Sequence, residues 1–236
     1  TELLNDADVP QIAQDFMRQT GAGEQDPVIH FYEQFLNEYD RRQRVERGVF
    51  YTPDPVVSYI VRSVDHLLET TFMLKDGLAS AERDANGEHR VQILDPATGT
   101  GTFLQYIIGE IAARRNPNNT PSEAWNRYVT DDLLPRLNGF ELMMAPYTIA
   151  HMKLGLKLKA TNYDPATPGR LHVYLTNALE LPPALQSSLP GEMDPFAREA
   201  YDAAEVKRGK PIMVVIGNPP YSGNSANNGD WIKNLL

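Results

Sequence analysis

Apolar residues follow two rhythms along the chain. Four short stretches, 91–94, 137–142, 171–175 and 212–216, carry strand-like residues, and the last, Ile212 to Ile216, is a continuous apolar run that stops at Gly217. Such runs read as strands buried on both faces of a sheet. The stretches between them carry helical spacing instead. Val56, Val57, Ile60, Val61, Val64, Leu67 and Leu68 predict a helix over 54–74, capped by Thr52 or Asp54, with Pro53 and Pro55 in its first turn. Phe103, Leu104, Ile107, Ile108 and Ile111 predict another over 102–115, ended by Asn116-Pro117-Asn118-Asn119. Pro121 and Ser122 open a third, which carries Trp125, Tyr128 and Val129. A helix over about 145–158 follows the second strand, with Ile149, Met152, Leu154 and Leu156 as core candidates. A polar helix over 196–208 leads into the last strand. Strands alternate with helices, so the predicted fold is α/β with a mainly parallel sheet.

Ahead of the sheet, Ile12, Ala13 and Phe16 fit a short helix, and Asp26-Pro27 starts a second. Ile29, Tyr32, Phe35, Leu36 and Tyr39 then recur at helical spacing and read as a packing face. The expected division is a helical segment over 1–46 and a sheet domain over 47–236. Residues 41–47 form the only basic cluster, either a solvated helix end that suits the helix dipole or a phosphate contact. Polar residues make 76–90 a loop, and Pro182, Pro183, Pro190 and Pro195 make 180–195 a stiff irregular connection.

Composition narrows the chemistry. The 236 residues include no cysteine, which excludes disulfides, thiolate metal sites and cysteine nucleophiles. His30, His66, His89, His151 and His172 show no metal-ligand spacing, so no metal is expected. A formal net charge of −9 argues against coating nucleic acid with the whole surface, while a local basic contact remains open. No run is long enough to cross a membrane and no signal-peptide pattern opens the chain, so a cytoplasmic location is expected. The chain opens on Thr1 and reads as a piece of a longer polypeptide.

Three strand ends carry candidate chemistry. Asp95 to Thr102 (Asp-Pro-Ala-Thr-Gly-Thr-Gly-Thr) turns from the first strand into a helix. Glycines there admit a ligand to the backbone, and a helix N-terminus offers N–H groups, although a plain tight turn would look the same. The dinucleotide fingerprint fails, because its third glycine would fall at Leu104 and the strand-end acid, Glu141, lies much later than the roughly 20 residues it requires. Glu141 ends the second strand, where a carboxylate accepts hydrogen bonds from both hydroxyls of a ribose, or is merely a surface acid. Asn177 ends the third strand and offers an amide to a purine edge, or simply shapes a turn. The fourth run stops at Gly217 and gives way to Asn218-Pro219-Pro220-Tyr221. Two prolines stiffen that loop, which presents an amide, a carbonyl and an aromatic face where ligands of open α/β sheets bind.

Together these stretches resemble the γ class of DNA adenine-N6 methyltransferases, over about residues 27–236. Asp95 to Gly101 matches the methyl-donor loop, Gly139-Phe140-Glu141 the ribose acid, and Asn218-Pro219-Pro220-Tyr221 the catalytic tetrapeptide. Gly48-Val49-Phe50-Tyr51-Thr52-Pro53 matches the motif that closes over S-adenosylmethionine. Phe140-Glu141-Leu142-Met143-Met144-Ala145-Pro146-Tyr147 and Tyr221-Ser222-Gly223-Asn224-Ser225 look especially like the methyltransferase region of Type ISP restriction-modification enzymes. Those are long single chains that join nuclease, helicase-like ATPase, coupler, methyltransferase and target-recognition parts.

The resemblance implies a Rossmann-like S-adenosylmethionine-dependent fold, incomplete at its C-terminal end, with 1–46 as a coupler-like segment. It implies double-stranded DNA and covalently linked nuclease, ATPase and target-recognition domains as partners. Asn218, Pro219, Pro220 and Tyr221 become the catalytic set. Phe50, Tyr51, Thr52, Pro53, Asp95, Ala97, Thr98, Gly99, Gly101, Thr102, Phe103, Glu141 and Asn177 become the cofactor-binding set. The class often has an Asp where this chain has Asn177; the amide can still bond adenine. In such an enzyme Phe50 or Tyr51 faces the sulfonium, Asn218 and Pro219 accept the amino hydrogens, and Tyr221 stacks on a base drawn out of the duplex. Other readings stand beside this one. Similar tetrapeptides occur in RNA and protein-glutamine methyltransferases. The chain could also be a non-catalytic donor-binding or coupling fragment, and alone it is expected to lack sequence-specific methylation.

Overall fold

The computed structural model describes residues 52–164, 166–167, 169–180 and 195–220, with side chains omitted at 195–197. The segments predicted over 1–46, together with Phe50, Tyr51, Tyr221 and the Pro-rich stretch 181–194, lie outside the described residues. One compact unit, Thr52–Pro219, holds the sheet.

Four parallel strands form it: β1 (Ile93–Asp95), β2 (Leu137–Glu141), β3 (His172–Leu175) and β4 (Val214–Val215). Their order is β3-β2-β1-β4. The chain moves outward from β1 to β3, then returns to the opposite side of β1. The crevice between β1 and β4 is therefore the topological switch point, where open α/β sheets bind ligands.

Side chains alternate between the two faces. Ile93, Leu137 and Val173 join the main core with α1 (Asp54–Thr70), α2 (Thr102–Arg115) and α4 (Met144–Ala160). Leu94, Phe140 and Tyr174 face the other way and pack with Ala203 and Val206 of α5 (Pro195–Gly209). Helices on both faces explain why apolar residues face both ways along the strands. Only Val214 and Val215 of the run 212–216 form a regular strand. Among the described residues β4 pairs on one side alone, and Val215 is 66% exposed.

Three sequence expectations are corrected. Neither Thr52 nor Asp54 caps α1; Pro53 occupies the cap position and no side chain caps it. The same helix ends at Thr70 rather than 74, because Met73 adopts a left-handed φ of 57° and Leu74 N–H closes back onto Leu68 O at 3.0 Å. Met152 and Leu156, expected in the core, are 47% and 44% exposed. The buried stripe of α4 runs through Pro146, Ala150, Leu154 and Leu158 at four-residue spacing, which turns Met152 and Leu156 outward.

Between α2 and β2 lies α3 (Glu123–Tyr128), capped by Ser122 Oγ, which accepts from Trp125 N–H at 3.1 Å. A π-helical turn and a 3-10 turn then bring Arg136 wholly inside. Its guanidinium donates to Leu78 O at 2.7 Å, Tyr128 Oη at 2.9 Å and Val91 O at 3.3 Å. A buried charge is tolerated when carbonyls take its hydrogen bonds. Here it ties together the segments that enter the amino ends of β1 and β2.

Candidate functional site

Strand register sets the layout. Asp95 pairs with Gly139, Gly139 with Val173, and Leu94 with Val215. From the level of Asp95, Glu141 and Asn218 lie two residues further toward the carboxyl end, and Asn177 lies four further. The chain thus brings all four to one edge of the sheet.

The turn after β1 is held closely. Thr98 N–H donates to Phe140 O at 2.9 Å and Thr98 Oγ1 donates to Asp95 O at 3.1 Å. Gly99 N–H donates to Glu141 Oε2 at 2.8 Å, while Met143 N–H donates to Oε1 at 2.8 Å. Glu141 therefore bridges the turn after β1 and the turn after β2. Gly99 and Gly101 take left-handed φ values of 56° and 83°, which favour glycine. Around Gly99 there is room, the nearest atom to an added Cβ being Ala97 O at 4.0 Å. The first turn of α2 carries no side-chain cap. Thr102 is buried beside Lys153, whose Nζ lies 3.5 Å from Thr102 Oγ1. Phe103 sits in the apolar core, so only its backbone borders the turn.

The two carboxylates are both hard to ionise. Burial pushes Asp95 up to about 7, opposed by the N–H of Ala97 and assisted by the charge of Glu141. Burial also raises Glu141, against three backbone N–H groups that favour its charged form. Asp95 Oδ1 accepts from Ala97 N–H at 3.0 Å, whereas its buried Oδ2 has no hydrogen-bond partner among the described residues. An anion kept in that position suits a cationic ligand.

β4 approaches Asp95 closely. A Cβ on Gly217 would collide with Asp95 Oδ1 and stand 3.1 Å from its Cγ. Only glycine admits the chain this near. The next residue, Asn218, is half-buried, and its Nδ2 donates to Thr52 Oγ1 at 3.0 Å. Pro219 and Pro220 are exposed, as is Pro53. Asn177 uses its Oδ1 to accept from Leu179 N–H at 3.1 Å, an Asx turn. Lys207 of α5 clamps the same turn, its Nζ donating to Asn177 O at 2.7 Å, Glu180 O at 2.8 Å and Thr176 Oγ1 at 2.9 Å. It also lies 5.1 Å from the Phe140 ring centroid.

The structure thus gathers Asp95, Ala97, Thr98, Gly99, Gly101, Thr102 and Glu141 around one turn, and Thr52, Gly217 and Asn218 beside it. Asn177 stands apart, beyond β2. Two contacts escape sequence reading: Lys207, whose only signal is a cation in a polar helix, and the pairing of Thr52 with Asn218. Among the described residues no group of three His, Asp or Glu side chains could hold a metal, and no helix is long and apolar enough to cross a membrane.

A family model described as N-6 DNA Methylase matches residues 23–234. Among solved structures, the chain is similar to a DrdV–DNA complex at 28% identity and TM-score 0.56, covering 85% of this chain and 17% of that one. It is similar to the ATP-dependent Type ISP restriction-modification enzyme LlaBIII bound to DNA at 25% identity and TM-score 0.60, covering 89% and 13%. It shares its fold with a nuclease-deletion mutant of the Type ISP enzyme LlaGI in complex with a DNA substrate mimic, at 24% identity and TM-score 0.60, over 91% and 16%. The chain spans less than a fifth of each of these proteins. No curated protein matches it significantly.

Proposed function

Because the chain belongs to the N-6 DNA methylase family, we propose that it transfers a methyl group to N6 of an adenine in DNA within a restriction-modification enzyme. S-adenosylmethionine supplies the methyl group, carried on a sulfonium cation. The residues of the β1 turn fit that donor. Glu141 Oε2 accepts from Gly99 N–H and Oε1 from Met143 N–H, and the carboxylate keeps lone-pair capacity for a ribose hydroxyl. Asp95 offers a buried carboxylate oxygen lacking a hydrogen bond to the described residues. Gly99 leaves room for close approach, and the N-terminus of α2 favours an anionic group. In the motif that the sequence shares with the family, Phe50 or Tyr51 offers the sulfonium an aromatic face.

On the acceptor side, an adenine amino group is a weak nucleophile because its lone pair is delocalised into the ring. Asn218 Oδ1 and the Pro219 carbonyl each accept one amino hydrogen. Two fixed acceptors favour a more pyramidal nitrogen, and no strong base is needed. On the donor side, Asn177 has its Oδ1 engaged by Leu179 N–H and offers its Nδ2 to the adenine of the donor. Tyr221 stacks on the target base, which leaves the duplex to reach the loop. Linked nuclease, ATPase and target-recognition domains supply cleavage and site choice.

The observation that carries this reading is the approach of Gly217 to Asp95, which sets the Asn-Pro-Pro loop against the donor turn across the switch point. Calorimetry of the chain with S-adenosylmethionine tests the donor claim, with saturable one-to-one binding expected. Labelled donor incubated with DNA, RNA and protein tests the acceptor in the full-length protein. Label in DNA, recovered as N6-methyladenine, is the expected outcome. Label in RNA or glutamine alone would replace the substrate, and label in none would leave a donor-binding module.

A further inference from the structure

We propose that Thr52 is a positioning residue for methyl transfer, which holds the side-chain amide of Asn218 in one plane and leaves its oxygen free to accept from the target amino group. The inference rests on the reading of Asn218 as an acceptor. Its starting point is a hydroxyl without its expected task. Thr52 precedes α1, where Ser and Thr commonly cap, yet no side chain caps this helix. Instead Thr52 Oγ1 accepts from Asn218 Nδ2 at 3.0 Å, across 166 residues of sequence.

Both partners stand on stiff backbone. Thr52 precedes Pro53, and Asn218 precedes Pro219. A residue before proline is confined to extended conformations, and β-branched Thr has few χ1 rotamers. What this stiffness does not set is the last torsion of Asn218. That torsion is broad and roughly two-fold, so the amide can exchange its oxygen and nitrogen at little cost. The exchange matters greatly to an amino-group substrate. With Oδ1 inward the amide accepts a hydrogen; with Nδ2 inward two donors oppose each other. A hydroxyl both donates and accepts, so the bond to Thr52 does not choose between these states alone; it pins the plane of the amide through Nδ2, and in that arrangement Oδ1 is free for the amino group. The residue that sets the amide thus belongs to the motif expected to close over the donor. Donor engagement and acceptor orientation share one short segment.

The test compares wild type, Thr52→Val, Thr52→Ser and Asn218→Ala in the full-length protein, by single-turnover methylation of DNA at saturating donor and by calorimetry with S-adenosylmethionine. Thr52→Val removes the acceptor at nearly constant shape. It is expected to slow transfer by about 5- to 10-fold, the share of one neutral hydrogen bond, while donor Kd stays within about 2-fold on the same grounds. Thr52→Ser should recover most of the rate. Adding Thr52→Val to Asn218→Ala should cost nothing further, which a merely structural role would not produce. Should Val crowd the loop, Thr52→Ala removes the same acceptor. An unchanged rate in both variants overturns the inference. So does weakened donor binding with the saturated rate intact, which would make Thr52 a donor contact only. Wild type that transfers no methyl to DNA overturns the parent reading instead, and this inference with it.

Discussion

Glu141 and Asn218 stand two residues beyond the same level of the sheet, on opposite sides of β1, yet they are held differently. Glu141 is 8% exposed, and each of its oxygens takes a backbone N–H from a separate turn. Asn218 is half-buried, and a single side-chain bond to Thr52 sets its amide. Asn177 resembles Asn218 in this respect, since its turn depends on the one cation of Lys207. In the roles proposed above, the donor side centres on a carboxylate held by main chain from two turns, and the acceptor amide of Asn218 depends on one contact to another element.

If that division holds, variants on the two sides fail in different measurements. The largest effect is expected from Asn218→Ala. Methyl transfer by the full-length protein should fall by about 10³-fold, as for loss of a preorganised transition-state contact, with donor Kd within about 3-fold, since a donor contact is not removed. A parallel collapse of donor binding would dissolve the comparison. Glu141→Gln should do the converse. Donor Kd should rise by about 10- to 100-fold, the range for hydrogen bonds to a charged group, while the single-turnover rate at saturating donor stays close to wild type.

Asp95→Asn sharpens the same contrast through pH. Below about pH 4 the carboxyl is protonated in the folded and the unfolded chain alike, so burial costs little. As pH rises toward about 7 the unfolded chain ionises it near 3.8 while the folded chain resists, and stability is lost across that window. The isosteric amide escapes this loss. Its melting temperature should match wild type near pH 4 and exceed it by about 5 °C near pH 7.5. Donor binding should weaken, because the orphaned anion is gone. His172, lowered by burial to about 4, works in the opposite sense between pH 4 and 6.5, so the difference between variants is the quantity to measure. A pH-independent difference would show that Asp95 is ionised throughout. The smallest effect belongs to Lys207→Met, which keeps the stem and loses the three bonds to the 176–180 turn. Donor Kd should rise by about 3- to 10-fold with the single-turnover rate at saturating donor unchanged.

Much of this architecture was legible before any coordinates. Short, largely apolar stretches marked the strands, because helices cover both faces of a parallel sheet. Glycine and proline marked the turns at their carboxyl ends, since few residues tolerate those backbones. The less legible features depend on direction in space. Met152 and Leu156 are apolar, but helical phase turns them outward. The burial of Arg136 has no local signal, since two of its four acceptors, Leu78 O and Val91 O, come from distant segments. Thr52 looked like a helix cap on local grounds, while its real partner comes from β4's loop. Lys207 gave no signal, because its acceptors are mostly carbonyls, which every residue possesses.

The closeness of Gly217 to Asp95 has a bearing on descent. Any side chain at 217 would invade the space of the carboxylate, so that glycine cannot drift while the acid stays. Nor does shrinking the acid come free, since the donor turn would lose its buried charge. Variation at either position must therefore pass through both, and the two halves of the site are inherited as one unit although far apart in the gene.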